Sequence, residues 1–164
     1  MLETAHSIRV VPAQADQIPL ILGFIRKLAE YEQLTHELVV DEALLHGHLF
    51  GARPAAEVLL AYLNERAVGF ALFFTSFSTF VGRPGLYLED LFVDPEARGL
   101  GVGKALLRHL ARVVVERGYG RLEWAVLDWN EPSISFYRSL GARPMNEWTT
   151  YRLSGQELEA LAAG

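Results

Sequence analysis

Three glycines at alternate positions form the clearest candidate for a ligand-binding loop in this sequence. Gly99, Gly101 and Gly103 lie between a predicted strand and a predicted helix, and the cations Arg98 and Lys104 flank them. Such a loop exposes consecutive backbone N–H groups at the positive end of a helix dipole, so it can hold a phosphate group. The same three glycines are also compatible with a plain strand-to-helix turn.

The residues around these glycines argue against the two common nucleotide-binding loops. A P-loop needs Ser or Thr after its lysine to hold magnesium, but Ala105 follows Lys104. A dinucleotide fingerprint needs the spacing G-x-G-x-x-G in an early β-α-β unit. Here the third glycine comes one residue too soon, and the loop lies late in the chain. A phosphate-bearing ligand of another kind therefore fits better.

Two adjacent carboxylates, those of Glu89 and Asp90, interrupt an otherwise apolar run that is typical of a strand. Because side chains alternate along a strand, we expect one carboxylate on each face of the sheet. Burial of a carboxylate is costly without a partner or a function. A buried ion pair and a contact with a cationic ligand are the two alternatives.

Further polar candidates lie near the C-terminus. Asn130 precedes a predicted helix that has Pro132 and Ser133 in its first turn, which is typical of a helix cap. Tyr137 lies on the same helix among apolar residues, and that setting alone favours a core tyrosine. The chain has no cysteine, and its histidines show no metal-ligand spacing, so no metal site is predicted.

The elements that position these residues come in a characteristic order. Antiparallel strands come first and a β-α-β-α unit follows, which predicts one α/β domain over residues 1–164 with a mixed sheet flanked by helices. Asp16 is expected to cap the first helix, and Lys27 on that helix to be a solvated charge. The predicted strands are 8–11, 57–63, 67–75, 86–93, 121–127 and 151–153. The predicted helices are 16–32, 41–50, 101–117, 132–140 and 156–163.

Composition excludes several classes of protein. Of 164 residues, 51% are hydrophobic and 21% charged, which argues for a folded globular chain. The net charge of -5 argues against sequence-independent nucleic-acid binding. The longest uncharged run, residues 67–82, is shorter than the roughly 20 residues of a membrane span. Residues 1–6 lack the features of a signal peptide, so we expect a cytoplasmic protein without a membrane partner.

The chain resembles the GNAT family of N-acetyltransferases nearly from end to end. The likeness is strongest to the diamine acetyltransferase branch, the spermidine/spermine or thialysine N-acetyltransferases. It is carried by the element order and by the segments 28–32, 87–93, 98–104 and 129–137. The resemblance implies a single-domain GNAT fold whose mostly antiparallel sheet splays open between the fourth and fifth strands. It also implies acetyl-CoA as co-substrate and a homodimer.

The resemblance assigns a role to each candidate residue. It places the pantetheine arm along the backbone of Leu91, Phe92 and Val93, and beside Asn130, Pro132, Ser133 and Tyr137. It implies that the pyrophosphate binds to Arg98, Gly99, Leu100, Gly101, Val102, Gly103 and Lys104. The resemblance implies that the cationic acceptor binds to Tyr31, Glu32, Glu89 and Asp90. Glu89 is expected to begin the acceptor's proton path, and Tyr137 to protonate the departing thiolate.

The predicted reaction is acetyl transfer to a primary amine of a small cationic acceptor, by direct attack in a ternary complex. Without cysteine, an acyl-cysteine intermediate is excluded. Polyamine-acetylating relatives carry additional acids in two segments where this chain has only Glu147, so a thialysine-like amino acid competes with a polyamine as acceptor. A non-catalytic acyl-CoA sensor of the same fold is the alternative from another functional class, and the presence of both Tyr137 and Glu89 favours the enzyme.

Overall fold

A computed structural model describes residues 6–164 of the chain. The expectation that no signal peptide is present falls mainly on residues 1–5, which lie outside the described residues. The chain forms two compact units, one ending at Ala125 and one beginning at Val126. Each unit is described by itself below, and the single domain over residues 1–164 stays a prediction.

The first unit contains a five-stranded mixed sheet in the order β1-β2-β3-β4-β5. The first four strands pair antiparallel, and β4 pairs parallel with β5. The predicted α/β architecture with a mostly antiparallel sheet is therefore confirmed. The strands are β1 Ile8–Pro12, β2 Glu57–Leu63, β3 Arg66–Ser78, β4 Arg83–Val93 and β5 Leu122–Trp124.

Residues 6–164 contain five α-helices, three in the first unit and two in the second. They are α1 Ile18–Tyr31, α2 Glu42–Phe50, α3 Val102–Glu116, α4 Glu131–Ser139 and α5 Gly155–Ala163. The predicted cap at Asp16 is wrong, because that residue lies in a separate 3₁₀ turn, Ala15–Gln17, and α1 begins after it. None of the helices within residues 6–164 is long and apolar enough to cross a membrane.

The predicted strand over residues 151–153 is wrong, since this segment is not part of the described sheet. A three-residue strand depends on a neighbouring strand edge for its hydrogen bonds. The observed β5 is only three residues long, against the seven that the sequence pattern predicts.

Helices α1 and α2 pack on one face of the sheet and fix the end of β4 in the core. The rings of Phe24 on α1 and Phe70 on β3 stack with their centroids 5.7 Å apart, and Phe92 on β4 lies 6.3 Å from Phe24. All three side chains are buried. Loss of one such ring costs about 3–5 kcal/mol, so this cluster holds α1 firmly against β4.

The sheet splays open between β4 and β5. The two strands pair only where Leu86, Tyr87 and Leu88 face Leu122, Glu123 and Trp124. Beyond Leu88, the rest of β4 pairs with β3 alone. This arrangement confirms the splayed sheet that the resemblance implies, and it leaves one edge of residues 89–93 without a strand partner.

Candidate active site

A β-bulge at Glu89 interrupts the regular pairing of β4 with β3. Asp90 pairs with Leu72 and Leu88 pairs with Phe73, so Glu89 is the extra residue on β4. A bulge breaks the alternation of side chains and re-aims those beside it. The simple alternation that predicts Glu89 and Asp90 on opposite faces of the sheet therefore does not hold here.

Three carboxylates come together beside this bulge, and they lack internal counterions. Glu32 directly follows α1, Glu89 is exposed, and Asp90 is partly buried. Among the residues that the structure describes, no ion pair includes any of the three. Of the two alternatives from the sequence, the buried ion pair is thus not formed in this part of the chain.

Burial and neighbouring negative charge raise the pKa values of two of these carboxylates, those of Asp90 and Glu32. Burial, followed by the negative charges of Glu89 and Glu32, raises the pKa of Asp90 to about 7. Burial and the charge of Glu89 likewise raise the pKa of Glu32. Burial also raises the pKa of Tyr87, with smaller contributions from Glu89 and Glu123. This site disfavours its own negative charge and is therefore stabilised by an external cation.

The open edge of β4 presents main-chain groups to a ligand. The N–H of Asp94 donates to the carbonyl of Val68 on β3 at 2.7 Å. Because an antiparallel ladder alternates, Phe92 also directs its main-chain groups toward β3, whereas Leu91 and Val93 direct theirs to the opposite edge. An extended amide-containing chain such as pantetheine fits beside this edge.

The glycine loop has the conformation that a close approach to phosphate requires. Gly99 and Gly101 adopt φ values of +76° and +89°, which strain any residue with a side chain. Around Gly99, no heavy atom lies within 4 Å of the place where a Cβ would stand. Gly101 caps α3, and the amides of residues 102–104 have no carbonyl partner within the helix. The loop therefore fits a pyrophosphate.

Two contacts connect α1 with the segment between β4 and the glycine loop. The Nζ of Lys27 lies 2.7 Å from Oδ1 of the buried Asp94, so Lys27 is an ion-pair partner and not the freely solvated charge that its sequence position predicts. The Nε–H of Arg98 donates to the carbonyl of Val93 at 3.0 Å. The Arg98 guanidinium also lies over the ring of Tyr31, 4.8 Å from its centroid.

The second unit carries the remaining candidates on and before α4. The Asn130 side chain accepts a hydrogen bond from the Ser133 N–H at 3.4 Å, and Pro132 lies in the first turn, so the predicted helix cap is confirmed. Tyr137 lies on the same helix, with its ring 5.7 Å from that of Phe136. The roles of these residues toward a ligand stay predictions.

Comparisons with known proteins agree with the fold of the chain and identify its family. The sequence profile of the Acetyltransferase (GNAT) family matches residues 25–142. The chain belongs to this family. Thialysine N-epsilon-acetyltransferase from Mus musculus is 33% identical, over 95% of this chain and 98% of its own length. L-ornithine N5-acetyltransferase from Arabidopsis thaliana is 31% identical, over 93% of this chain and 87% of its own length.

A solved structure supports this GNAT assignment at the level of the fold. An integron cassette protein from the mobile metagenome of V. cholerae superposes with a TM-score of 0.80 at 28% identity. The superposition covers 96% of this chain and 99% of the cassette protein. Family membership makes the present GNAT protein an acetyl-CoA-dependent N-acetyltransferase.

Within this GNAT chain, the structure gathers the predicted residues into two groups on β4. Glu32 joins Glu89 and Asp90 at the bulge, while Leu91 and Val93 lie at the open edge toward the glycine loop. Sequence reasoning missed that Asp90 has the most perturbed carboxylate. The adjacent acids in an apolar strand were the available signal, but the bulge and the proximity of Glu32 depend on tertiary structure.

Proposed function

We propose that this N-acetyltransferase acetylates a primary amine of a small cationic acceptor bound at the bulge of β4. The observation that carries the proposal is the group of three carboxylates, Glu32, Glu89 and Asp90. Burial and neighbouring negative charge raise the pKa values of Glu32 and Asp90, and none of the three forms an ion pair within residues 6–164. A bound ammonium group relieves this repulsion. The carboxylates thus supply both affinity for the acceptor and a route for its proton.

Removal of a proton from the acceptor is the first chemical requirement. An alkylamine with a lysine-like pKa near 10.4 is almost entirely ammonium at pH 7, and its deprotonation costs roughly 4.6 kcal/mol. Glu89, which is exposed, is positioned to contact the ammonium. Asp90, with a pKa of about 7, is the better proton acceptor. The pKa difference between the acceptor ammonium and Asp90 is about 3 units smaller than the difference between the ammonium and an ordinary aspartate. Proton transfer to Asp90 therefore costs roughly 4 kcal/mol less.

The coenzyme side of the reaction uses the main chain. When bound, acetyl-CoA supplies the acetyl thioester. Leu91 and Val93 orient the pantetheine arm through main-chain groups on the open edge of β4, where the Val93 carbonyl also accepts from Arg98, and a Val93 or Leu91 N–H polarises the thioester carbonyl. The loop over residues 99–104 holds the pyrophosphate through its amides and the positive charge of Lys104. The side chain of Phe92 anchors the strand in the core.

The second unit contributes the proton for the departing sulfur in this proposal. We propose these roles because the family resemblance implies them: Tyr137 as the proton donor to the thiolate, and Asn130 and Ser133 as contacts of the pantetheine arm. A phenol with an ordinary pKa near 10 stays protonated at pH 7 and can donate as the C–S bond breaks. Because that pKa lies about 1.5 units above that of a thiol near 8.5, the transfer costs roughly 2 kcal/mol, and the phenolate regains its proton from solvent as CoA leaves. The amine attacks directly in a ternary complex, since the chain has no cysteine to carry the acetyl group.

An amino acid with a side-chain amine is the acceptor class that the relatives favour. Relatives that align over most of this chain and most of their own length are named thialysine and L-ornithine N-acetyltransferases, whereas a spermidine/spermine N(1)-acetyltransferase-like protein aligns over 92% of this chain but only 23% of its own length. The three carboxylates form one compact group, whereas a long polyamine gains most from acids spaced along its length. Homodimer formation and a cytoplasmic location rest on the resemblance and on composition, and both stay predictions.

A thiol-release assay over a panel of amines tests the proposal. Acetyl-CoA is combined with thialysine, ornithine, lysine, putrescine or spermidine, and free CoA is measured over time. We expect the highest kcat/KM with thialysine or ornithine and a strong loss in Glu89→Gln. Equal turnover of all amines, unaffected by Glu89→Gln, would place the acceptor elsewhere. Acetyl-CoA binding without turnover of any amine would support the acyl-CoA sensor.

A further inference from the structure

We infer that Arg98 is a positioning residue that couples coenzyme binding to acceptor binding by linking the glycine loop to the end of α1. The inference rests on the proposed function, because it requires the coenzyme on the loop and the acceptor beside Glu32. The family resemblance gives Arg98 a different role, as one of the residues that hold the pyrophosphate. The contacts of its side chain point to a role between the two ligands.

The guanidinium of Arg98 is already engaged on the acceptor side of the loop. Its Nε–H donates to the carbonyl of Val93, and its plane lies over Tyr31, with the Phe92 ring also 5.6 Å away. An arginine over an aromatic face is attracted to it. A hydrogen bond and an aromatic ring on different elements together fix the guanidinium at the junction of α1 and β4.

Tyr31, the aromatic partner of Arg98, lies next to the proposed acceptor site in the chain. Tyr31 is the last residue of α1, and Glu32 follows it. The amide of Glu32 donates to the carbonyl of Leu28 at 2.9 Å, and Gln33 closes the helix with a φ of +60°. This hydrogen-bonded helix end restricts Glu32, so a shift of the Tyr31 ring is transmitted to the neighbouring carboxylate. The electrostatic interaction of Glu32 with Asp90 brings that shift to the proposed acceptor.

Arg98 itself lies next to the glycine loop that is proposed to bind the coenzyme. Arg98 is followed by Gly99, where the chain enters the left-handed region. A pyrophosphate on the loop sets the conformation of these residues and hence the position from which the Arg98 side chain extends. Coenzyme binding therefore stabilises one arrangement of Arg98 on Tyr31, and acceptor binding stabilises the same arrangement from the other side.

A second contact, between Lys27 and Asp94, lies one helical turn away on α1. Because it holds the helix in place, the contact between Arg98 and Tyr31 is free to respond to ligands. Lys27 and Tyr31 are four residues apart on α1 and so share a face, and they meet Asp94 and Arg98 respectively. Asp94 is buried, and Arg66 approaches its other oxygen at 3.8 Å, so this link is well fixed. Arg98 is exposed and contacts a ring face. The Lys27 link holds α1 in place while the Arg98 link responds to ligands.

The test is a thermodynamic cycle with two ligands that do not react with each other, CoA and thialysine. Calorimetry gives the Kd of CoA with and without saturating thialysine, and the ratio of the two is the coupling factor. Coupling between sites in proteins is commonly about 5- to 150-fold, and an exposed contact belongs at the low end. We expect a factor of about five for the unmodified protein, and the same factor for thialysine affinity with and without CoA.

Three variants separate positioning from direct phosphate binding. Arg98→Lys keeps the positive charge but loses the planar group and the Nε–H donor, so we expect a coupling factor near one with nearly normal CoA affinity. Tyr31→Leu removes the ring and should also abolish the coupling. Lys104→Met, which removes a charge from the same loop, should weaken CoA binding about equally with and without thialysine and leave the coupling factor unchanged.

Each outcome decides between the two roles. If Arg98→Lys keeps the full coupling factor, or weakens CoA binding equally in both conditions, Arg98 is a phosphate ligand and the inference is wrong. A factor of one in the unmodified protein, with both ligands bound, also overturns it and leaves the proposed function intact. Failure of the unmodified protein to bind CoA or thialysine instead contradicts the proposed function. Circular dichroism of each variant confirms that it is folded.

Discussion

Replacement of Asp90 by asparagine should make the protein more stable at alkaline pH while impairing its function. Asparagine has the shape of the protonated acid, so Asp90→Asn removes the charge that burial and the neighbours Glu89 and Glu32 disfavour. A carboxyl group whose pKa is raised in the folded state binds more protons there than in the unfolded chain. Its cost to stability therefore grows as the pH rises from the unfolded pKa to the folded pKa, and is constant above that.

The size of the effect follows from the pKa of Asp90, which changes from 3.8 to about 7 on folding. Ionisation of Asp90 costs the folded protein about 4 kcal/mol at pH 8 and about 2 kcal/mol at pH 5. The stability gain of Asp90→Asn over the unmodified protein should therefore be about 2 kcal/mol larger at pH 8 than at pH 5.

Urea unfolding at both pH values measures this difference. Asp16→Asn is the matched control for the same change of residue, because it removes an exposed carboxylate from a turn in the same unit. Acceptor KM should rise in Asp90→Asn, since the cation loses a counterion. A stability gain that is equal at pH 5 and pH 8, or no gain at all, would refute the assignment of a strongly raised pKa to Asp90.

Four further predictions concern the coenzyme, the acceptor, the leaving group and the assembly. Gly101→Asp should abolish acetyl-CoA binding in calorimetry. The control Gly118→Asp places a side chain at a similarly positive φ at the other end of α3, so it should lower stability without affecting binding. Equal binding by both variants would show that the loop is not part of the coenzyme site. Glu89→Gln should raise acceptor KM with little change in melting temperature, and the opposite pattern would indicate a structural role. Tyr137→Phe should lower kcat at least about tenfold with near-normal acetyl-CoA affinity. An unchanged kcat over the whole pH range would show that Tyr137 has only a packing role. Light scattering should give twice the chain mass of 18.3 kDa, and a monomer at micromolar concentration would contradict the homodimer.

Elements with local sequence signals were predicted well. The bounds of β2 are as predicted, and the turn before β3 falls on Asn64, whose φ of +56° is one that asparagine tolerates. The helix after the glycine loop begins at Val102, one residue after its predicted start, because Gly101 supplies the left-handed cap. In each case a few neighbouring residues determine the structure, so one sequence is sufficient to find it.

Features that depend on distant residues were not predictable in the same way. The bulge at Glu89 depends on how β4 aligns with β3, and nothing in the run from Tyr87 to Val93 indicates where an extra residue is accommodated. Lys27 has the sequence context of any exposed helix lysine, and its partner Asp94 lies 67 positions away. The family resemblance proposes the residues of the site, but it did not reveal which carboxylate has the strongly raised pKa.

The bulge divides β4 into two stretches that can vary independently in evolution. On one side, residues 86–88 are held between β3 and β5, and on the other, residues 91–93 are held by β3 and by the anchor Phe92. An extra residue with no ladder partner absorbs local changes without shifting either register. Substitutions at Glu89 and Asp90 can therefore alter which amine is accepted while the main chain offered to the coenzyme stays in place. Laboratory evolution for new acceptors should accumulate its first mutations at these two positions.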